Sequence, residues 1–85
     1  MQRSIALSVL LALFDLARAG RRADVGLLAG RLGAHEDVVR LALTRLDRLG
    51  FADSKHVRLT LTGLALAVNA AEQREDALAL LSTAA

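Results

Sequence analysis

The side chains best suited to chemistry in this sequence are cations, and they cluster in the middle of the chain. Residues 18–58 contain nine Arg and Lys residues against five Asp and Glu residues, whereas residues 59–85 contain one against three. Guanidinium and ammonium groups attract phosphate, and a local excess of them draws polyanions to a surface. The distribution is a modest form of the charge pattern typical of proteins that bind nucleic acid.

The residue patterns of catalytic and metal sites are missing from the sequence. His35 and His56 have no second histidine at ligand spacing, and the chain contains no cysteine. Neighbouring carboxylates such as Glu36 and Asp37 point in different directions on a helix, so they do not form an acid–base pair. We therefore expect no catalytic residues, no metal and no cofactor, and a protein that is not an enzyme.

Apolar spacing and glycine positions predict the elements that position the cations. The 85 residues are expected to form a single domain, mainly α with a small β-hairpin. Gly20, Gly33 and Gly50 stand where helices are expected to end. Asp24 either begins the second helix or caps it, and Thr60 caps the last. The predicted elements are a helix over 3–19, a helix over 23–32, a helix over 36–49, a hairpin over 51–60 and a helix over 61–81.

The helix over 36–49 is expected to be amphipathic. Leu41 lies off its apolar stripe and should be exposed. Gly26 and Gly30, in the preceding helix, are expected to allow close approach of a neighbouring helix, because glycine is otherwise unfavourable there. The predicted buried stripe of helix 36–49 consists of Val39, Ala42, Leu43, Leu46 and Leu49.

The hairpin and the last helix carry weaker patterns. Ser54-Lys55 is the predicted turn, followed by a strand over 56–60 with Val57 and Leu59 inward and Arg58 outward. The polar cluster between residues 69 and 76 is expected to stop or bend the last helix. Its predicted buried face consists of Leu64, Ala67, Val68, Ala71, Leu78 and Leu81.

The first helix, 3–19, is apolar over most of its circumference, since its polar residues form one narrow stripe. A chain this short offers few elements to cover a second apolar side, so we expect a homodimer partner to cover it. The hydrophobic fraction of 54% points the same way, because a small monomer cannot bury so much apolar surface.

The N-terminal segment also permits a different interpretation. Arg3, the apolar run 5–14 and the small residues around position 18 resemble a secretory signal peptide with its cleavage site, leaving a secreted domain that begins at Gly20. Asp15 interrupts this pattern, and cleavage would remove the helix that normally covers the next two. A cytoplasmic location is therefore favoured. The apolar run is too short to span a membrane.

Several short motifs follow one another in a characteristic order between residues 23 and 66. A leucine-alanine pair, a leucine-glycine turn, a capping position, a valine, a leucine and a glycine with an apolar residue precede the hairpin, and a Leu-Thr-x-x-Gly segment follows it. This order resembles winged helix-turn-helix regulators of the MarR-like and ArsR-like kind. The residues are Leu28-Ala29, Leu32-Gly33, His35, Val39, Leu46, Gly50-Phe51 and Leu59-Thr60-Leu61-Thr62-Gly63.

The resemblance implies a bacterial transcriptional regulator that binds double-stranded DNA as a homodimer joined through helices 3–19 and 61–81. Helix 36–49 would be the recognition helix in the major groove, and hairpin 51–60 would be the wing. The thiolate metal sensing common in ArsR-like proteins is excluded, since the chain lacks cysteine. The residues expected to contact DNA are His35, Arg40, Leu41, Thr44, Arg45, Lys55 and Arg58.

Three residues of helix 36–49 favour an alternative function. Glu36 and Asp37 complement the helix dipole, but they also place negative charge where phosphate groups would approach. Leu41 presents a large apolar side chain where DNA-binding helices usually carry a polar one. The alternative is a winged helix that binds a protein partner or serves as an assembly module, without binding DNA.

Overall fold

A computed structural model describes residues 5–83, with side-chain surroundings up to residue 73. The two strands pair antiparallel, with Ala52 opposite Leu59 and Asp53 opposite Arg58. The described chain is mainly helical with a small β-hairpin, which confirms the predicted composition of elements. In chain order the elements are α1 (Ile5–Arg18), α2 (Val25–Leu32), α3 (Glu36–Arg48), β1 (Ala52–Asp53), β2 (Arg58–Leu59) and α4 (Leu61–Thr83).

Helix α1 is the centre of the core. Residues 9–14 and Leu16 are all buried, although they point to every side of the helix. The chain itself covers them, because α2, α3, α4 and β2 all pack against α1. The expectation that the monomer lacks elements to cover this helix is therefore wrong.

Helices α2 and α3 are joined by a three-residue turn at 33–35. The carboxylate of Asp24 caps α2 by accepting a hydrogen bond from the backbone N–H of Leu27 at 2.8 Å. This settles the choice left open by the sequence in favour of capping. Gly33, at φ 63°, ends α2. Four buried residues attach α3 to the core, namely Val39, Ala42, Leu43 and Leu46.

The end of α3 differs from the predicted stripe. Leu49 follows the helix as its C-terminal cap and is 63% exposed. Its predicted burial is wrong, because the chain leaves the helix there. Gly50, at φ 82°, adopts a left-handed conformation, and the N–H of Phe51 donates to the carbonyl of Leu46 at 2.8 Å. This turn directs the chain into β1.

The hairpin is shorter than predicted, since its turn spans residues 54–57. His56 and Val57 therefore lie in the turn, and their predicted place in the second strand is wrong. Val57 has φ 51°. A β-branched residue in this left-handed region is strained, because its Cβ crowds the following carbonyl oxygen.

Helix α4 begins at the predicted cap, where the N–H of Gly63 donates to Thr60 Oγ1 at 3.1 Å. The Thr60 hydroxyl donates to the carbonyl of Gly50 at 2.6 Å, which ties the start of α4 to the end of α3. The helix runs unbroken to Thr83, so of the two predicted outcomes, a stop or a bend within 69–76, the stop is wrong.

The buried face of α4 consists of small residues. Ala67 and Ala71 are buried, while Leu64 and Val68 are exposed. The predicted burial of Leu64 and Val68 is therefore wrong, whereas that of Ala67 and Ala71 is confirmed. The side chains of Leu78 and Leu81, which complete the predicted face, lie outside the described residues.

Close packing in this fold occurs at Gly63 and not at the glycines of α2. A Cβ atom added at Gly63 would overlap the carbonyl group of Phe51. The space beside Gly30 is open, and only the carboxylates of Asp24 and Glu36 lie near Gly26. The prediction that a neighbouring helix closely approaches these glycines is wrong for Gly30, whereas Gly26 lies beside the side chain of Glu36, the first residue of α3. The Leu-Thr-x-x-Gly segment has a clear steric reason for its glycine.

Candidate nucleic-acid interface

The exposed face of α3 carries equal numbers of positive and negative residues. The helix contains three basic and three acidic side chains, all exposed, so its formal charge is zero. A surface of mixed charge attracts polyanions only weakly at a distance. Binding of a polyanion to this face therefore depends on which of its cations lack a carboxylate partner. The six side chains are Glu36, Asp37, Arg40, Arg45, Asp47 and Arg48.

Arg40 is neutralised by its neighbours on the helix. Its guanidinium lies 3.1 Å from a carboxylate oxygen of Glu36 and 3.2 Å from one of Asp37. These residues stand one helical turn before Arg40, at the spacing that brings side chains together. Each such exposed pair contributes at most about 1 kcal/mol. Arg40 can therefore leave the carboxylates, but two negative charges remain beside it.

Arg45 and Lys55 are free cations by comparison. Within residues 5–73, neither has a carboxylate partner, and both are exposed. Arg45 lies on α3 one turn after Leu41, which is 69% exposed as predicted. These two cations could bind an incoming phosphate without first breaking an ion pair.

Two further candidates on α3 have limited hydrogen-bonding roles. The hydroxyl of Thr44 donates to the carbonyl of Arg40 at 3.0 Å, so its oxygen remains free to accept. His35 occupies the capping position before α3, and its side chain makes no capping hydrogen bond. The imidazole is exposed at the end of the helix that would approach a ligand.

The turn of the hairpin is tied to α3 through Asp47. Its carboxylate accepts hydrogen bonds from the backbone N–H of Ser54 at 2.9 Å and from the Ser54 hydroxyl at 2.7 Å. These two bonds lower the pKa of Asp47. Sequence reasoning missed this link, because the two residues belong to different elements and no local spacing rule relates them.

A second carboxylate, that of Asp53, shapes the turn itself. It accepts from the backbone N–H of Lys55 at 3.0 Å and lies 2.7 Å from His56 Nδ1. The hydrogen bond from the His56 side chain is the main cause of the lowered pKa of Asp53. Arg58 Nε lies 4.0 Å from the same carboxylate, which offsets part of its charge.

The structure brings Arg40 and Thr44 of the predicted set together and places Arg58 in a different cleft. Arg40 and Thr44 share a cleft of about 260 Å³ with Ser54 of the hairpin turn. Arg58 instead lines a second cleft with Arg21 and Arg22, which precede α2. The α3 face and the hairpin turn therefore form one continuous surface, and β2 contributes its cation elsewhere.

No group of three metal-ligating side chains lies together within the part of the chain that the structure describes. Among the helices of residues 5–83, none has the length and apolar character needed to cross a membrane.

Comparison of the chain with protein-family models, curated proteins and solved structures gives no match.

Proposed function

We propose that this protein is a winged helix-turn-helix that binds duplex DNA, with α3 in the major groove and the hairpin as its wing. The observation that carries the proposal is the link between Asp47 and Ser54, at 2.9 and 2.7 Å. It holds the hairpin turn beside the exposed face of α3, so that a helix and a loop present one surface. A helix of this width fits the major groove of B-DNA.

The free cations determine how this surface would bind DNA. Arg45 and Lys55 supply the main phosphate contacts, since neither has an ion pair in the described chain. Arg40 contributes less, because a phosphate must compete with the carboxylates of Glu36 and Asp37. The expected result is moderate affinity that falls with salt, because cation–phosphate contacts release counterions.

A titration followed by amide NMR tests this function. Addition of a duplex of about 30 base pairs, roughly three helical turns, should shift the amides of the exposed α3 residues and of turn 54–57. Amides of the buried α1 residues should change little. Binding absent at low ionic strength, or shifts confined to α4, would contradict the proposal.

We propose that the homodimer uses α4. Helix α1 is covered by its own chain, whereas Leu61 is 87% exposed and shares one face of α4 with Leu64 and Val68, which are also exposed. Association of this face would bury an apolar strip that the monomer leaves in water. It would also place two α3 helices on one assembly, as palindromic DNA sites require.

The oligomeric state in solution tests this contact. A dimer should have twice the chain mass of 9.0 kDa in light scattering. Replacing both Leu61 and Leu64 with Lys should yield a monomer, because burying two ammonium groups against an apolar surface is unfavourable. Changing the exposed Thr62 to Lys provides the matched control. A wild-type monomer at high concentration would refute the dimer.

Binding of a protein partner is the second candidate function. It is favoured by the exposure of Val38 and Leu41 on α3 and of Leu49 directly after it, close to Arg40, which is already neutralised. Apolar side chains at these spacings are typical of a helix that docks against another protein. Wild-type protein that fails to bind duplex at low salt, but loses a co-purifying partner on Leu41→Lys substitution, would favour this function.

A further inference from the structure

We propose that α3 recognises 5-methylcytosine in duplex DNA through three neighbouring side chains of different chemistry, Asp37, Arg40 and Leu41. This recognition rests on the proposed DNA binding, because α3 must lie in the major groove before it can contact a base. A pair of 5-methylcytosine with guanine presents there an N4 amino donor, a C5 methyl group and the guanine acceptors O6 and N7. The three side chains offer the matching groups, namely an acceptor, a donor and an apolar surface.

Leu41 is the side chain that indicates a methyl group. It is exposed on α3, although the next two residues, Ala42 and Leu43, are buried. A leucine gains from contact with DNA only where it meets an apolar group, because that contact removes apolar surface from water. In the major groove, the apolar groups are the C5 methyl groups of pyrimidines. Leu41 therefore favours thymine or 5-methylcytosine over cytosine.

The carboxylate of Asp37 distinguishes between these two methylated bases. Asp37 stands one helical turn before Leu41, at the spacing that makes side chains neighbours on a helix surface, and its side chain is 95% exposed. A carboxylate accepts a hydrogen bond from N4 of cytosine, whereas thymine carries the acceptor O4 at that position and would repel it. The pyrimidine with both an N4 donor and a C5 methyl group is 5-methylcytosine.

Arg40 is held where it can bind the guanine of the same pair. Its guanidinium donates to Asp37 Oδ1 at 3.2 Å and to Glu36 Oε2 at 3.1 Å. These bonds engage two of its five N–H donors, so three remain for O6 and N7 of guanine. Glu36 acts here as a positioning residue. The two carboxylates that make Arg40 a poor phosphate ligand therefore suit it to a base contact.

Duplex pools that differ in single methyl groups test this recognition. Two random-sequence pools of about 30 base pairs contain either cytosine or 5-methylcytosine, and their affinities at low salt are compared by fluorescence anisotropy. The methylated pool should bind about fourfold more tightly for each methyl group contacted, the gain from removing one such group from water. Equal affinity would overturn the proposal and leave Leu41 to a protein contact, while the proposed DNA binding would stand. Failure of both pools to bind would refute that DNA binding as well.

A third pool tests the choice between the two methylated bases. Uracil in place of thymine removes only the thymine methyl groups, so this pool should bind as tightly as the unmodified one. A loss as large as the gain of the methylated pool would assign Leu41 to thymine and overturn the proposal. Asp37→Asn should admit thymine, because an amide can donate to O4. In this variant the uracil pool should therefore bind more weakly than the unmodified pool.

Substitution of the exposed leucine assigns the preference to α3. Leu41→Ala should abolish the preference for the methylated pool and leave the affinity for the unmodified pool unchanged. The variant should fold normally, because alanine is favourable in a helix and this position is exposed. Leu49→Ala removes an exposed leucine directly after α3 and should keep the full preference. An undiminished preference in Leu41→Ala would overturn the proposal.

Discussion

The α3 face and the linker–hairpin cleft, which is lined by Arg21, Arg22 and Arg58, each display three arginines, but only on α3 do as many acidic side chains accompany them. Arg40 follows Glu36 and Asp37 by one helical turn, and both carboxylates reach it. Arg21 and Arg22 lie outside any helix, after the turn at Gly20. The comparison shows that the neighbours fixed by a helix, and not the count of cations, decide which guanidinium groups are available to a ligand.

Both surfaces depend on the base of the hairpin, so the largest expected effect comes from Gly63. Gly63→Ala should destabilise the fold by about 3 kcal/mol, because the added methyl group would overlap the backbone of Phe51. Gly30→Ala is the matched control, since nothing lies within 4 Å of the added atom. It should stabilise α2 by up to about 1 kcal/mol. Urea unfolding measures both, and equal effects would contradict the close packing at Phe51.

A change on α3 would remove the difference in charge between the two surfaces. Replacing Glu36 with Gln and Asp37 with Asn frees Arg40 and removes two negative charges. Duplex affinity at low salt should rise about tenfold, and its dependence on salt should steepen. Glu72→Gln removes an exposed carboxylate on α4 and should have little effect. Unchanged affinity in the α3 variant would show that Arg40 and its partners lie outside the interface.

The smallest expected effect concerns pH. The pKa of Asp47 is lowered in the folded state, so its bonds to Ser54 contribute stability above the carboxylate's ordinary pKa. That contribution is lost as the pH falls through the lowered value, below about pH 4. The Ser54 amide resonance should therefore shift in acid. In Asp47→Asn this titration should be missing, and an identical acid shift there would assign the effect to another group.

Local chemistry made some features predictable from the sequence. The Asp24 and Thr60 caps and the stop at Gly33 involve residues within one turn of each other, so spacing alone identifies them. The Glu36–Arg40 ion pair also follows helical spacing. The sequence alone therefore indicates that Arg40 is a weaker candidate for contact with DNA.

Features that depend on the packing of distant elements were not predictable in this way. The burial of residues 9–14 and Leu16 of α1 requires four other elements, and no single one of them reveals it. Val57 adopts its strained conformation inside a turn held by Asp53, whereas alternation alone placed it in a strand. The Asp47–Ser54 link joins α3 to the hairpin turn, and it is the feature that unites the candidate site.

The most direct test of DNA binding is the salt dependence of duplex affinity, measured by fluorescence anisotropy. Replacing Arg45 and Lys55 together with Ala should weaken binding at least tenfold and lower the log–log salt slope by about two, one for each lost phosphate contact. Arg18→Ala removes a cation that lies over the Phe14 ring and should leave the slope unchanged. An equal slope in the double variant and the wild type would contradict DNA binding through α3 and the hairpin.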